Sequence, residues 1–221
     1  MNDLTWIIVI LDRSGSMGGI KDATEKGLNK FVEEQSVEPG VAKLTLVQFD
    51  DAYEVLYTLV PIQTVKDIQL VPRGSTAMLD AIGKTINKTK EEYNKLAEQA
   101  RPAKVFVVIT TDGYENASRE FTYPQIQELL TKVRDEWKWQ VIFTAANQDA
   151  VASANKMSIS AKSALTYGST PLGVANMYDS LSGQMSAQRG MCAGVYAHAV
   201  NKGEFFDDDD KDKQDVSSPK H

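Results

Sequence analysis

Three short stretches of the chain are almost wholly apolar and rich in β-branched residues: Thr5–Leu11 (TWIIVIL), Lys104–Thr110 (KVFVVIT) and Gln140–Ala145 (QVIFTA). Unbroken apolarity over so few residues predicts strands buried on both faces, as at the centre of a parallel sheet. Val41–Phe49 and Tyr53–Leu59 alternate more and are joined through Asp50-Asp51-Ala52, which predicts a hairpin near a sheet edge. Between these strands the apolar spacing changes to that of a helix. Ile20–Gln35 places Ile20, Leu28, Phe31 and Val32 on one stripe. Ala77–Ala97 does the same with Met78, Ala81, Ile82, Ile86, Tyr93 and Leu96. Pro124–Trp137 opens with proline at a helix-compatible first position and carries Ile126, Leu129, Leu130 and Val133.

After Ala146 the pattern weakens. Asp149–Lys156 predicts a short helix, Ser163–Tyr167 a short strand, and Pro171–Gln188 a closing amphipathic helix. Residues 189–203, rich in Gly and Ala, carry no assignment. Strands alternating with helices predict an α/β fold with a doubly wound, mostly parallel central sheet and helices on both faces. No repeat or linker divides the chain, so residues 1–203 read as one domain, least defined over 171–203.

Charge changes this picture at one end. The 221 residues carry 24 basic and 30 acidic side chains, a net of −6. Residues 204–221 hold seven of the acids and three lysines, so the body is near neutral and the end is acidic. That distribution argues against sequence-independent nucleic-acid binding, which needs clustered Lys and Arg. Residues 204–221 read as an acidic, disordered tail. The apolar run Trp6–Leu11 is too short for a signal-peptide core or a membrane span, and no later run is long enough. The expectation is a cytoplasmic protein without membrane contact. One cysteine, Cys192, excludes an intrachain disulfide, and two histidines near the end, His198 and His221, leave little for His-based catalysis.

In an open parallel sheet, ligands bind beyond the carboxyl ends of the strands. After the first strand comes Asp12-Arg13-Ser14-Gly15-Ser16-Met17-Gly18-Gly19. After the strand at 104–110 comes Thr111-Asp112-Gly113, and before the helix near Ala77 comes Arg73-Gly74-Ser75-Thr76. Three loops thus bring two carboxylates and several hydroxyls to one edge, with no imidazole or thiol. Such hard oxygen donors suit Mg²⁺, Mn²⁺ or Ca²⁺. Asp12 and Ser14 also have an ordinary reading as a helix cap. Arg13 reads as a solvated loop residue, and Tyr114, Glu115 and Asn116 as the rim of the site.

D-x-S-x-S after an apolar strand, a spaced threonine and a T-D-G strand end together resemble the metal-ion-dependent adhesion site of von Willebrand factor A domains. The resemblance covers roughly residues 4–170 and implies one antiparallel edge strand. It also implies a metal site made of Asp12, Ser14, Ser16, Thr76 and Asp112, holding Mg²⁺ or alternatively Mn²⁺ or Ca²⁺. The wording D-R-S-G-S-M is more similar to stand-alone intracellular members from bacteria and phages than to integrin-type domains. The function so implied is a metal-dependent interaction module, not an enzyme, whose open coordination position takes an Asp or Glu from a protein partner. A metal-dependent phosphohydrolase is one alternative, with Glu115 or Asp50 as conceivable bases. It lacks the second aspartate that the haloacid-dehalogenase-like pattern requires, since that position is Ser14. A structural component of a phage or ATPase complex is another alternative. The tail is expected to act as a weak internal ligand. Eighteen flexible residues reach roughly 24 Å, against a body radius of gyration of about 17 Å.

Overall fold

The first apolar run folds as β1 (Leu4–Asp12), and its side chains divide between two cores, one on each side of a sheet. Ile7, Val9 and Leu11 enter one core, and Trp6, Ile8 and Ile10 the other. A strand with no polar face has to lie between two layers, and here it does. The computed structural model describes residues 4–146 and 149–215. After β1 come a short 3₁₀ turn (Gly15–Ile20), α1 (Lys21–Val37), β2 (Val41–Phe49), β3 (Tyr53–Pro61) and α2 (Met78–Lys95). Then follow β4 (Lys104–Thr111), α3 (Tyr123–Asp135), β5 (Gln140–Ala146), α4 (Ala150–Asn155), β6 (Ala164–Tyr167), α5 (Pro171–Gly190), α6 (Ala193–Lys202) and α7 (Asp208–Asp215).

The six strands stand in the order β3-β2-β1-β4-β5-β6. Every pairing is parallel except β2 with β3, the antiparallel edge. The chain leaves β1 toward β2 on one side and later returns to β4 on the other. The order therefore reverses at β1 and β4, and a crevice opens beyond their carboxyl ends. Helices cover both faces. α1 and α5 close the core that holds Leu28, Phe31, Met177 and Leu181. α2, α3 and α4 close the core that holds Ile82, Ile86, Ile126 and Ala154. At the starts of α3, α4 and α5, side chains make the capping hydrogen bonds. Thr122 and Gln125 form a capping box on α3, Asp149 accepts from Ala152 N on α4, and Thr170 accepts from Gly173 N on α5. Among the described residues no helix is long and apolar enough to cross a membrane.

The structure departs from the sequence reading at the C-terminal end. The unassigned residues contain α6, which buries Tyr196 and Val200 in the core of α1 and α5. The predicted disordered tail is packed as far as Gln214. Phe205 and Phe206 are buried, and their rings meet edge-on at 4.9 Å. Their N–H groups donate to Lys162 O. Asp208, Asp209 and Asp210 occupy the first turn of α7 and Lys213 the last, the arrangement a helix dipole favours. Asp210 is itself buried and accepts from Gln184 Nε2 at 2.8 Å. The composition is that of a solvated tail, but the Phe pair anchors the segment and the order of charges folds it. A flexible strap free to visit the strand ends does not exist over 204–214, and residues 216–221 lie outside the described residues.

Candidate metal centre

Asp12 is the last residue of β1 and is fully buried. Its Oδ1 accepts from Ser14 N at 2.6 Å, and its Oδ2 from the Thr111 hydroxyl at 2.6 Å. Thr111 closes β4, the strand beside it, so the two central strands are joined at their ends. Ser14 precedes the 3₁₀ turn, yet its side chain caps nothing, and α1 begins only at Lys21, without a side-chain cap. The capping alternative for Asp12 and Ser14 therefore fails. The Ser14 hydroxyl instead lies 3.1 Å from that of Ser16, and Ser16 Oγ donates to Asp112 Oδ1 at 2.6 Å.

Thr76 reaches the same place from the loop before α2. A Cβ added at Gly113 would lie 3.4 Å from Thr76 Oγ1 and 3.6 Å from Ser16 Oγ, so the T-D-G backbone runs close between the two hydroxyls. All five sequence-predicted residues come together at the crevice: Asp12, Ser14, Ser16, Thr76 and Asp112. They supply two carboxylates and three hydroxyls. Among the described residues no three His, Cys, Asp or Glu side chains form a metal cluster, so an ion here would need hydroxyl or water oxygens beside the two carboxylates.

The electrostatics ask for a cation. Burial pushes the Asp12 carboxyl up to about 6, against the hydrogen bonds from Thr111 and Ser14 that lower it. Burial also raises Asp112, against the hydrogen bond from Ser16. Among the described residues no lysine or arginine pairs with either carboxylate, whose hydrogen bonds come from Ser14 N, the Thr111 hydroxyl and the Ser16 hydroxyl. Beneath them Tyr167 is buried and donates to Thr111 O at 3.2 Å. Burial raises its phenol far above the usual range, and the nearby Tyr178, Asp112 and Asp12 add to that. A buried carboxylate without an opposite charge beside it is costly, and a divalent ion would supply that charge.

The loops around the centre hold surprises. Arg13 is not solvated: it is buried and paired with Asp50 and Glu54. Tyr114 is exposed at the rim as expected, but Glu115 and Asn116 are turned to other work. The Glu115 carboxylate accepts from Leu79 N, Ala117 N, Ser118 N and the Ser118 hydroxyl. Asn116 Oδ1 accepts from Thr76 N at 2.9 Å, and Asn116 N donates to Thr76 O at 3.1 Å. Asp80 accepts from the N–H groups of Arg119, Glu120 and Phe121. These three side chains fasten the loop after β4 to the start of α2 and so fix Asp112 relative to Thr76. The sequence carried no sign of Asp50 or Asp80 in this role. Asp50 looks like a turn residue, and Asp80 like a polar position in a helix.

The von Willebrand factor type A domain family matches residues 7–175. No curated protein matches the chain in sequence. Among solved structures, proximal thread matrix protein 1 from the mussel byssus matches with a TM-score of 0.62 at 16% identity, over 79% of this chain and 46% of its own. The same mussel protein with a zinc-occupied MIDAS motif matches at 0.54 and 16%, over 89% and 46%. Manganese-loaded TRAP protein from Plasmodium vivax matches at 0.55 and 18%, over 76% and 69%. At these identities the likeness is one of fold. The chain spans less than half the length of the mussel protein.

Proposed function

The chain belongs to the von Willebrand factor type A domain family, and from that premise we propose that it is a metal-dependent protein-interaction module. Asp12, Ser14, Ser16, Thr76 and Asp112 hold a divalent cation, Mg²⁺ or Mn²⁺ ahead of Ca²⁺. The two carboxylates balance the +2 charge and the three hydroxyls add none. An ion with a position left open stays electrophilic, and an Asp or Glu from a partner completes it through a charge-assisted contact. The observation that carries the reading is the convergence of these five donors, from three separate loops, around a buried carboxylate with no cation of its own.

Hydrolysis has less to draw on. The two bases available to it are already engaged: Glu115 by three backbone N–H groups and a hydroxyl, Asp50 by two guanidiniums. The reading places the module in the cytoplasm, on the wording of its first loop. Capture from native lysate with Mg²⁺ present, repeated with EDTA and with Asp12→Ala, tests it. Partners retained by the wild type in Mg²⁺ and lost in both controls are the expected result. Retention that ignores EDTA overturns the metal-dependent reading.

A further inference from the structure

Arg13 sits between Asp12 and Ser14 in the chain, and its side chain is buried. Its Nε donates to Asp50 Oδ2 at 3.0 Å, and its Nη1 pairs with Glu54. Arg73, three residues before Thr76, donates Nε to the same Asp50 oxygen at 2.8 Å, with its side chain 59% exposed. Asp50 is fully buried, and its Oδ1 accepts from Ala52 N at 2.5 Å. Backbone bonds run beside these ion pairs. Arg73 N donates to Arg13 O at 2.9 Å, Gly15 N to Gly74 O at 3.2 Å, and Ala77 N to Asp50 O at 2.9 Å. One carboxylate therefore joins three loops: the one after β1, the β2–β3 turn, and the one before α2. The first carries Ser14 and Ser16, and the last carries Thr76.

Gly74 shows how closely the two loops approach: its φ is +64°, which a residue with a side chain adopts only under strain, and a Cβ there would stand 2.4 Å from Asp51 Oδ1 and 3.4 Å from Asp50 Cβ, so the Asp51 side chain would have to turn aside. Metal chemistry makes that spacing matter. Magnesium demands a near-ideal octahedron, and neutral hydroxyls hold it less firmly than carboxylates do. Hydroxyls on separate loops contribute only if the protein has already set the gap between them, because ordering the loops at binding costs entropy. Groups that orient ligands without touching the ion change affinity for it by about 10- to 100-fold.

We infer that Asp50, with Arg13 and Arg73, is a positioning clamp that holds the Ser14/Ser16 loop and the Thr76 loop at metal-binding spacing. This rests on the reading of the site as a metal centre. The clamp acts through the loops and is not a set of ligands.

Mn²⁺ titrated into the full chain and followed by electron paramagnetic resonance tests it. Arg73→Ala is the deciding variant, because Arg73 is exposed and its loss leaves Asp50 paired with Arg13. Arg73→Ala is expected to weaken Mn²⁺ binding about tenfold and Asp50→Asn by about 10- to 100-fold. Arg73→Lys, which keeps the charge, falls between the wild type and Arg73→Ala. The metal-free melting temperature of Arg73→Ala stays at the wild-type value. Wild-type affinity in Arg73→Ala overturns the clamp and leaves the metal reading standing. So does an affinity loss accompanied by a matching fall in the metal-free melting temperature, which makes the role purely structural. A wild type that does not bind Mn²⁺ at millimolar concentration overturns the metal reading and the clamp with it.

Discussion

Asp12 and Asp50 are two fully buried aspartates at the ends of neighbouring strands. Each turns Oδ1 onto the N–H two residues ahead, Ser14 in one case and Ala52 in the other. They differ in what faces Oδ2. Asp12 receives the Thr111 hydroxyl, whereas Asp50 receives the guanidiniums of Arg13 and Arg73. Burial raises both. At Asp12 it prevails and the carboxyl stands at about 6. At Asp50 the hydrogen bonds from Arg73 and Ala52 and the charge of Arg13 outweigh it and hold the group below the usual carboxylate range. Asp112 and Asp80 repeat the contrast, the first raised by burial, the second lowered by three backbone N–H groups despite burial. The four acids thus divide into a frame, Asp50 and Asp80, satisfied by the protein's own donors, and a centre, Asp12 and Asp112, whose burial those donors do not offset.

The largest effect should come from breaking the frame. Asp80→Ala leaves the N–H groups of Arg119, Glu120 and Phe121 without their acceptor. A cost of about 3 kcal/mol is expected from unmade hydrogen bonds of this number, read from urea unfolding in EDTA. A cost under about 1 kcal/mol would mean that the loop after β4 is held by something other than Asp80. Next in size is the metal increment. Mg²⁺ at a hundredfold above its Kd should stabilise the wild type by about 2.7 kcal/mol. Asp12→Ala and Asp112→Ala should abolish that gain. Identical unfolding curves with EDTA and with millimolar Mg²⁺ would place Asp12 among structural acids and dissolve the contrast.

The halves of this contrast were unequally visible in the sequence. The proposed ligand positions follow a fixed local grammar: Asp12, Ser14 and Ser16 lie two residues apart at the end of an apolar strand, and Asp112 directly follows another. β1, β4 and β5 were legible for a related reason, since continuous apolarity survives any tertiary context, and β2 and β3 from their alternation. The frame has no such grammar. Asp50 reaches Arg13 and Arg73 across 37 and 23 residues, a pairing that exists only once the sheet order is known. Arg13 looked solvated because arginine in a Gly/Ser loop usually is. α6 and α7 were missed for opposite reasons. α6 is short and poor in long apolar side chains, so its stripe is faint. α7 is almost wholly charged, and the Phe205-Phe206 anchor that docks it lies outside the helix.

A pH titration tests the contrast in the metal-free protein at a smaller scale. The folded Asp12 carboxyl, at about 6, binds its proton more tightly than the unfolded chain at 3.8. Native protein therefore carries the extra proton between those values, and stability falls as pH rises through that window. In EDTA the wild type should lose on the order of 2 kcal/mol from pH 4 to pH 7 relative to Asp12→Asn. Asp50 and Asp80 act with the opposite sign and lower down. Their contribution is complete above 3.8 and is lost as pH falls below it. Saturating Mg²⁺ should flatten the wild-type fall. A fall that persists unchanged in Asp12→Asn would assign the missing counter-charge to another group.

The smallest expected effect separates frame from centre most cleanly. Glu115 lies three residues after Asp112, and the sequence alone makes it a rim residue placed to set partner choice. Its carboxylate is spent on Leu79 N, Ala117 N, Ser118 N and the Ser118 hydroxyl. Glu115→Gln keeps one acceptor oxygen and turns the other into a donor facing donors. That should cost about 1 kcal/mol in thermal or urea unfolding. The increment gained on adding Mg²⁺ should stay at its wild-type size, because a frame acid supplies neither charge nor a ligand to the ion. A stability change near zero with a reduced Mg²⁺ increment would move Glu115 into the centre. The division would then follow distance from the ion and not the satisfaction of each carboxylate.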